Sequence, residues 1–496
     1  MSLFRVKPLD RILAEGAETE HGLKRSLGPW ALTAMGIGAI IGTGIFVLTG
    51  VASATRSGPS LTLSFVLAGI LSAFAALCYA EVSSKIPISG SAYTYTYATL
   101  GEFLAWIIGW ALVLEYALGA ATVSIGWSGY FVNIWNGLTR WPIPAVWSNG
   151  PHWGLAGQAG ISGYADLPAA GIILIITALL AKGTRESGTV NAVIVSIKVA
   201  IVIFFIAVGV SHIDPANYHL PPGGAAGLGG YFPFGVTGML GAASFIFFAY
   251  IGFDAVSTTA EEAKNPGRDL PFGILVSLAI CTVLYIIVAA VLDGMVPFYK
   301  LNVAFPVAFA MNYVGLSWAG LVISFGAIAG LTTVLLVMMF GQIRVWFSMA
   351  RDGLIPPRFA RIHPRWRTPI TSTIFFGICI AIVGAVTPIN IVGSLVNMGT
   401  LTAFTLVSIA VWILRWKHPE LKGRFELPFG AVGAFLIPLI SAGGALYFIY
   451  NLRIGNPLLY GFPIVWFWFV VWLVLGLIFY FSYGAWKSNL ATGKDS

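Results

Sequence analysis

The residues of this chain best placed to do chemistry are a run of glycines and three charged side chains, all deep inside apolar segments. Gly36, Gly38, Gly42, Thr43 and Gly44 sit halfway along the apolar run 31–49. A soluble helix gains nothing from such a run, because each glycine costs about 1 kcal/mol in a helix interior. In lipid, an opened helix exposes bare N–H and C=O groups, tolerated only where protein or a wet cavity meets them. The N–H groups that begin the second half attract anions, and the carbonyls that end the first attract cations. A second interruption falls in the run 238–257, where Gly252 lies near the middle and Asp254 follows. An aspartate at bilayer depth is costly, so it is either paired or functional. Asp254 therefore caps a restarted half-helix, contacts a solute or proton, or does both.

Two more charges lie at depth. Lys198 falls about eight residues, roughly 12 Å, into its apolar stretch. A lysine stem spans only about half that distance, which disfavours escape to the interface. Glu115 sits some fifteen residues into another stretch and either bonds the opened backbone of the first interruption or holds a cation.

Membrane elements must position these groups. The chain is 58% hydrophobic and 9% charged, the balance of an integral membrane protein. Twelve apolar stretches of spanning length lie near 30–54, 59–82, 100–130, 167–182, 190–210, 236–260, 272–293, 319–350, 370–387, 391–414, 432–450 and 461–484. The expected fold is an all-α membrane protein of 12 transmembrane helices, with helices 1 and 6 broken. The polar arm 1–28 lacks the apolar core of a cleavable signal.

Placing the N-terminus in the cytoplasm puts 21 of the 27 Lys and Arg residues on that side, with the richest connector between Arg351 and Arg367. Four then lie opposite: Arg56, Arg140, Lys300 and Arg453. This asymmetry predicts cytoplasmic N- and C-termini. The net charge of +8 thus reports topology, and no basic motif supports a nucleic-acid partner. Cys78, Cys281 and Cys379 all fall in apolar stretches and the six histidines do not, so neither a metal site nor another cofactor is expected. The connector tryptophans Trp135, Trp141, Trp147 and Trp153 suit the lipid–water boundary.

The two interruptions lie five spans apart. In many transporters spans one to five and six to ten form halves of opposite orientation, as an odd number of spans per half requires. Close helix packing through small residues would explain one glycine-rich span, but less readily two at matching positions. No strand precedes the first glycine run and no phosphate-loop pattern occurs in it.

Three further motifs carry a likeness. One runs Cys78-Tyr79-Ala80-Glu81 through Ile86-Pro87-Ile88-Ser89-Gly90-Ser91-Ala92-Tyr93 to Gly101-Glu102-Phe103-Leu104-Ala105-Trp106. Another is Phe248-Ala249-Tyr250-Ile251-Gly252-Phe253-Asp254, continuing to Glu261-Glu262-Ala263-Lys264-Asn265-Pro266. The third is Met349-Ala350-Arg351-Asp352-Gly353-Leu354. With them the chain resembles the amino acid–polyamine–organocation superfamily, in its cationic amino acid transporter branch and a bacterial form. Animal members of that branch have fourteen spans, against twelve counted here. The resemblance implies a leucine-transporter-type fold: a 5+5 inverted repeat over 29–210 and 236–415, two C-terminal helices within 432–484, and a cytoplasmic tail 485–496.

It also implies amino acid transport, and the interruptions suit a zwitterion. Free N–H groups of Gly42, Thr43 and Gly44 match a carboxylate, with the Thr43 hydroxyl beside them. Carbonyls at Ala39, Ile40, Phe248, Ala249 and Ile251 match an ammonium. Phe248 would cover the site as an aromatic gate or simply pack, and Met338 would line the side-chain pocket or fill core. In sodium-coupled relatives an ion sits between spans one and eight; in proton-coupled ones a span-five lysine is similarly placed, which implies a proton-coupling role for Lys198. The expected function is secondary active import of cationic or neutral amino acids with protons, by alternating access at the inner (plasma) membrane. An amino acid exchanger is the alternative, and a non-transporting amino acid sensor the reading from another class. No enzyme is expected. The lipid bilayer is the surrounding partner, and a small membrane protein partner stays open.

Overall fold

The computed structural model describes residues 5–8, 27–87, 91–153, 162–183, 188–219, 229–421, 423–459 and 461–493. Most of the arm 1–28, the motif residues Ile88, Ser89 and Gly90, and the basic residues Arg11, Lys24, Arg25, Arg185, Lys422 and Lys494 lie outside the described residues.

Fourteen α-helices of eight residues or more make up most of the described structure: α1 Pro29–Ile40, α2 Leu61–Lys85, α3 Ser91–Thr99, α4 Glu102–Leu138, α5 Leu167–Lys182, α6 Gly188–Gly209, α7 Gly235–Ile246, α8 Pro266–Met295, α9 Pro306–Tyr313, α10 Ser317–Arg351, α11 Ile370–Val386, α12 Ile389–Lys417, α13 Gly430–Asn451 and α14 Ile464–Phe479. Proline opens α1, α8 and α9, the position where its missing N–H costs nothing. Among the described residues nine helical stretches are long and apolar enough to cross a membrane, and α1, α5 and α11 are shorter apolar helices. The chain is a multi-pass membrane protein.

Each of the twelve apolar stretches holds at least one helix. The sequence reading missed α3 and α9, since nine and eight residues cannot span a bilayer and so leave no long apolar run. It also missed a small antiparallel hairpin pairing Leu458–Leu459 with Phe462–Pro463. Trp135, Trp141, Trp147 and Trp153 are all exposed.

At the arginine-rich end of the bundle, the residues of the first and third motifs tie the chain's two ends together. Lys7 makes a 3.1 Å ion pair with Asp352, which also accepts from the Tyr93 hydroxyl at 2.7 Å. Glu102 accepts from the hydroxyls of Tyr480 and Ser488 at 3.0 and 2.8 Å, while its N–H donates to the Arg5 carbonyl. Glu81 pairs with Lys85 and takes two bonds from Arg415. These bonds give the buried carboxylates the partners that burial demands.

At the other end, Asp166 caps α5 by accepting from the Ala169 N–H at 3.0 Å, and it also accepts from the Ser128 hydroxyl. Burial outweighs these bonds and pushes its carboxyl up to about 7. The folded state therefore holds more protons than the unfolded chain between about pH 4 and pH 7, and stability falls as pH rises through that window. Asp166→Asn keeps a good cap without the titration. Wild-type protein is expected to melt at a higher temperature at pH 5 than at pH 7.5, and the variant to show a smaller difference; differential scanning fluorimetry reads it.

Candidate substrate site at the two helix breaks

Glycine determines where the first break falls. α1 ends at Ile40, and Ile41 is extended at φ −71°, ψ 100°. The chain re-coils through Gly44–Leu48, Thr49–Ala52 and Ser53–Ser57, partly as π-helix. The N–H groups of Ile45 and Phe46 both turn back to the Gly42 carbonyl at 3.2 Å. Among the described residues no backbone carbonyl accepts from the N–H groups of Gly42, Thr43 or Gly44. They form the positive start of a half-helix in the protein interior.

The second break lies between α7 and the 3-10 segment Asp254–Glu262. A 3-10 turn at Phe247–Tyr250 follows α7, then Ile251 is extended at ψ 136°. Gly252 takes φ +121°, a region that side chains rarely adopt. Asp254 is buried; it accepts from the Gly252 N–H at 3.3 Å and from the Tyr116 hydroxyl at 3.5 Å. Its carboxylate also lies near the N–H groups of Asp254 and Ala255 that open the restarted segment, whose formal cap position, Phe253, makes no side-chain bond. It braces the turn as well.

The two breaks touch. A methyl group on Gly252 would lie 2.8 Å from the Ala39 carbonyl carbon, and one on Gly44 would overlap the Ala249 Cα. Gly42 packs against Val334 of α10 in the same way. Ala39, Ile40, Gly42, Thr43, Gly44, Phe248, Ala249 and Ile251 are all buried in this junction. The buried Thr43 hydroxyl has no hydrogen-bond partner among the described residues, and its side chain lies against Gly126 of α4. Met338 of α10 is buried beside Gly119 of α4.

Lys198 reaches the junction from α6. Its ammonium donates to the Gly38 carbonyl at 2.7 Å, and its stem runs along Gly330 of α10, where a methyl would lie 3.0 Å from Cγ. The side chain thus sits between the first interrupted helix and α10. Glu115 is also buried, but it packs against Gly399 of α12, and among the described residues neither carboxyl oxygen has a partner at hydrogen-bond distance, the opened backbone of the first break included. Arg344 is exposed and lies over the Phe340 ring at 4.3 Å.

Other donors, which the sequence reading missed, satisfy much of the opened backbone. The Tyr285 hydroxyl donates to the Ile40 carbonyl at 2.8 Å and Tyr130 to Phe46 at 2.7 Å. Asn397 donates to the carbonyls of Ser244 and Phe245 just before the second break. Their one sequence signal is a polar group inside an apolar stretch. Tyr285→Phe removes a buried bond worth about 1 kcal/mol, so substrate affinity is expected to fall about fivefold. Scintillation proximity binding on purified protein checks this.

A junction of two interrupted helices carrying bare peptide groups, with no cluster that could hold a metal ion found among the described residues, is suited to hold a small solute. The family profile described as "Amino acid permease" matches residues 27–479. The chain belongs to this permease family. It is 46% identical over 482 residues to the methylthioribose transporter of Bacillus subtilis (strain 168), covering 97% of this chain and 98% of that one. To the branched-chain amino acid permease BcaP of the same organism it is 44% identical over 490 residues, 99% of each chain. It is 39% identical to the vacuolar cationic amino acid transporter 4 of Arabidopsis thaliana over 84% of this chain and 68% of the relative. This permease of amino acids or related solutes is a transporter and not an enzyme.

Proposed function

We propose that this permease is a secondary active, proton-coupled importer of α-amino acids working by alternating access. The observation that carries the reading is the direct contact of the two breaks, Gly44 on Ala249 and Gly252 on Ala39. It brings unbonded N–H groups and helix-ending carbonyls within reach of one small zwitterion. The carboxylate lies on the N–H groups of Gly42, Thr43 and Gly44, with the Thr43 hydroxyl as a further donor. The ammonium lies on the carbonyls at Ala39, Ile40, Phe248, Ala249 and Ile251, with Tyr285 leaving Ile40 one lone pair. Phe248 covers the bound solute, and Met338 lines the side-chain space. Asp254 holds the second break in shape.

Twelve spans in a 5+5 inverted repeat with two added helices account for the paired breaks, and the arginine-rich end faces the cytoplasm of a cell whose plasma membrane holds the protein. Lys198 occupies the place of a coupling cation. Protonated, it clamps the Gly38 carbonyl; deprotonated, it loses the charge-assisted bond and frees the first half of the broken helix to tilt.

The 46% identity to a methylthioribose transporter favours a second reading, a sugar-like solute without carboxylate or ammonium. Uptake into proteoliposomes separates the two. Labelled leucine, alanine, arginine and methylthioribose are supplied, with the pH gradient, Na⁺ and internal amino acid varied independently. Amino acid uptake driven by an inward proton gradient is expected. Uptake of methylthioribose alone overturns the substrate, dependence on Na⁺ overturns the coupling, and dependence on internal amino acid makes the protein an exchanger.

A further inference from the structure

Away from the helix breaks, α4, α10, α11 and α14 border an apolar groove of about 450 Å³ at the arginine-rich end. Trp110, Trp346, Phe376, Cys379 and Trp472 line it together with Arg358. The volume falls within the roughly 300–1,000 Å³ of small-molecule sites.

The wall is rigid and its polar groups are nearly all used. Trp110 and Trp472 stack at 4.4 Å, and each donates its indole N–H to the other's backbone carbonyl. Trp346 is fixed edge-on against Phe376 at 5.0 Å and against Phe359 at 5.7 Å. Yet its own indole N–H, buried, meets no acceptor among the described residues. A buried indole N–H without a partner, which Trp412 and Trp466 also show, is a donor that a bound molecule can satisfy.

Depth suggests which molecule does so. Trp346 lies five residues before the end of α10 at Arg351, or about 7.5 Å along the helix. Tryptophans prefer this level, between headgroups and hydrocarbon. Arg358 lies beyond the helix end with its guanidinium 5.1 Å from the Phe359 ring, and Arg361, Arg365 and Arg367 are exposed in the same connector. Basic pockets between spans on the cytoplasmic side suit anionic headgroups.

We infer that the groove is a binding site for an anionic phospholipid of the cytoplasmic leaflet. The phosphate lies on Arg358, an ester carbonyl accepts from Trp346, and an acyl chain fills the apolar wall. The side assigned to the leaflet rests on the orientation proposed above; the site itself does not depend on the transported solute.

Native mass spectrometry of the full chain, extracted from vesicles of equal phosphatidylglycerol and phosphatidylcholine with matched acyl chains, tests this. Wild-type protein is expected to retain phosphatidylglycerol about fivefold over phosphatidylcholine. Arg358→Gln, at an exposed position, brings the ratio toward one. Trp346→Phe lowers retention of both lipids while keeping the preference. Cys379→Trp, at an exposed wall position, plugs the groove and removes both. Thermal melting of each variant checks its fold, and the wild-type ratio stands as a test without them. Equal retention by wild-type protein, or a preference that survives Arg358→Gln, overturns the inference. So does phosphatidylglycerol that persists in folded Cys379→Trp, and so does a lipid-free dimer.

Discussion

Lys198→Ala is expected to reduce proton-driven uptake to below a tenth of wild type and to flatten its response to a pH gradient. The ammonium is buried, donates to the Gly38 carbonyl at 2.7 Å and lies along Gly330, so one side chain joins α6 to the first broken helix and to α10. Hydrogen bonds from charged groups contribute about 1.5–3 kcal/mol, and losing one at a hinge shifts a two-state balance by tenfold or more. Lys198→Arg sharpens the test. Arginine keeps the charge but does not release a proton in this pH range. The variant is expected to bind substrate while failing to accumulate it against a gradient. Undiminished uptake by Lys198→Ala with an unchanged pH response would remove Lys198 from the coupling step.

The two breaks were legible because glycine and aspartate contradict an apolar span, and the cost of that contradiction marks the position. Lys198 was legible for the same reason. What the sequence withheld is what each buried polar group bonds to. Tyr285 and Tyr130 fall within apolar stretches where nothing local marks them, yet both brace the first break. Which carbonyl a tyrosine meets depends on the rotation of its helix, which spacing within one helix does not define. Glu115 shows the same limit, since it faces α12 and not the opened backbone.

Arg56 is a larger departure. Its charge reads as a connector residue, but it is 2% exposed, over the Phe245 ring at 4.2 Å and bonded to the Ile454 carbonyl at 2.7 Å. That partner lies 398 residues away, in the connector between α13 and α14. Local pattern carries no trace of such a contact. The helices follow from hydrophobic length, while the polar wiring between them follows from tertiary packing.

Gly252→Ala is expected to abolish uptake while leaving a folded, membrane-inserted protein. Two penalties coincide at this position. The φ of +121° strains any residue with a side chain, at about 1–3 kcal/mol. The added methyl also lies 2.8 Å from the Ala39 carbonyl carbon, and overpacking a tight junction costs about 1–3 kcal/mol more. Relief comes only by moving the second break off the first, which separates the carbonyls and N–H groups that together face the solute. Gly44→Val does the same from the other side, against Ala249. Gly443→Ala is the control: this glycine lies within α13 with nothing within 4 Å of an added methyl. There the substitution is expected to leave uptake unchanged and to raise stability by about 0.5–1 kcal/mol. Uptake in proteoliposomes, normalised to protein that elutes as a single species on size exclusion, distinguishes these outcomes. Wild-type uptake by Gly252→Ala would mean that the junction does not hold the solute.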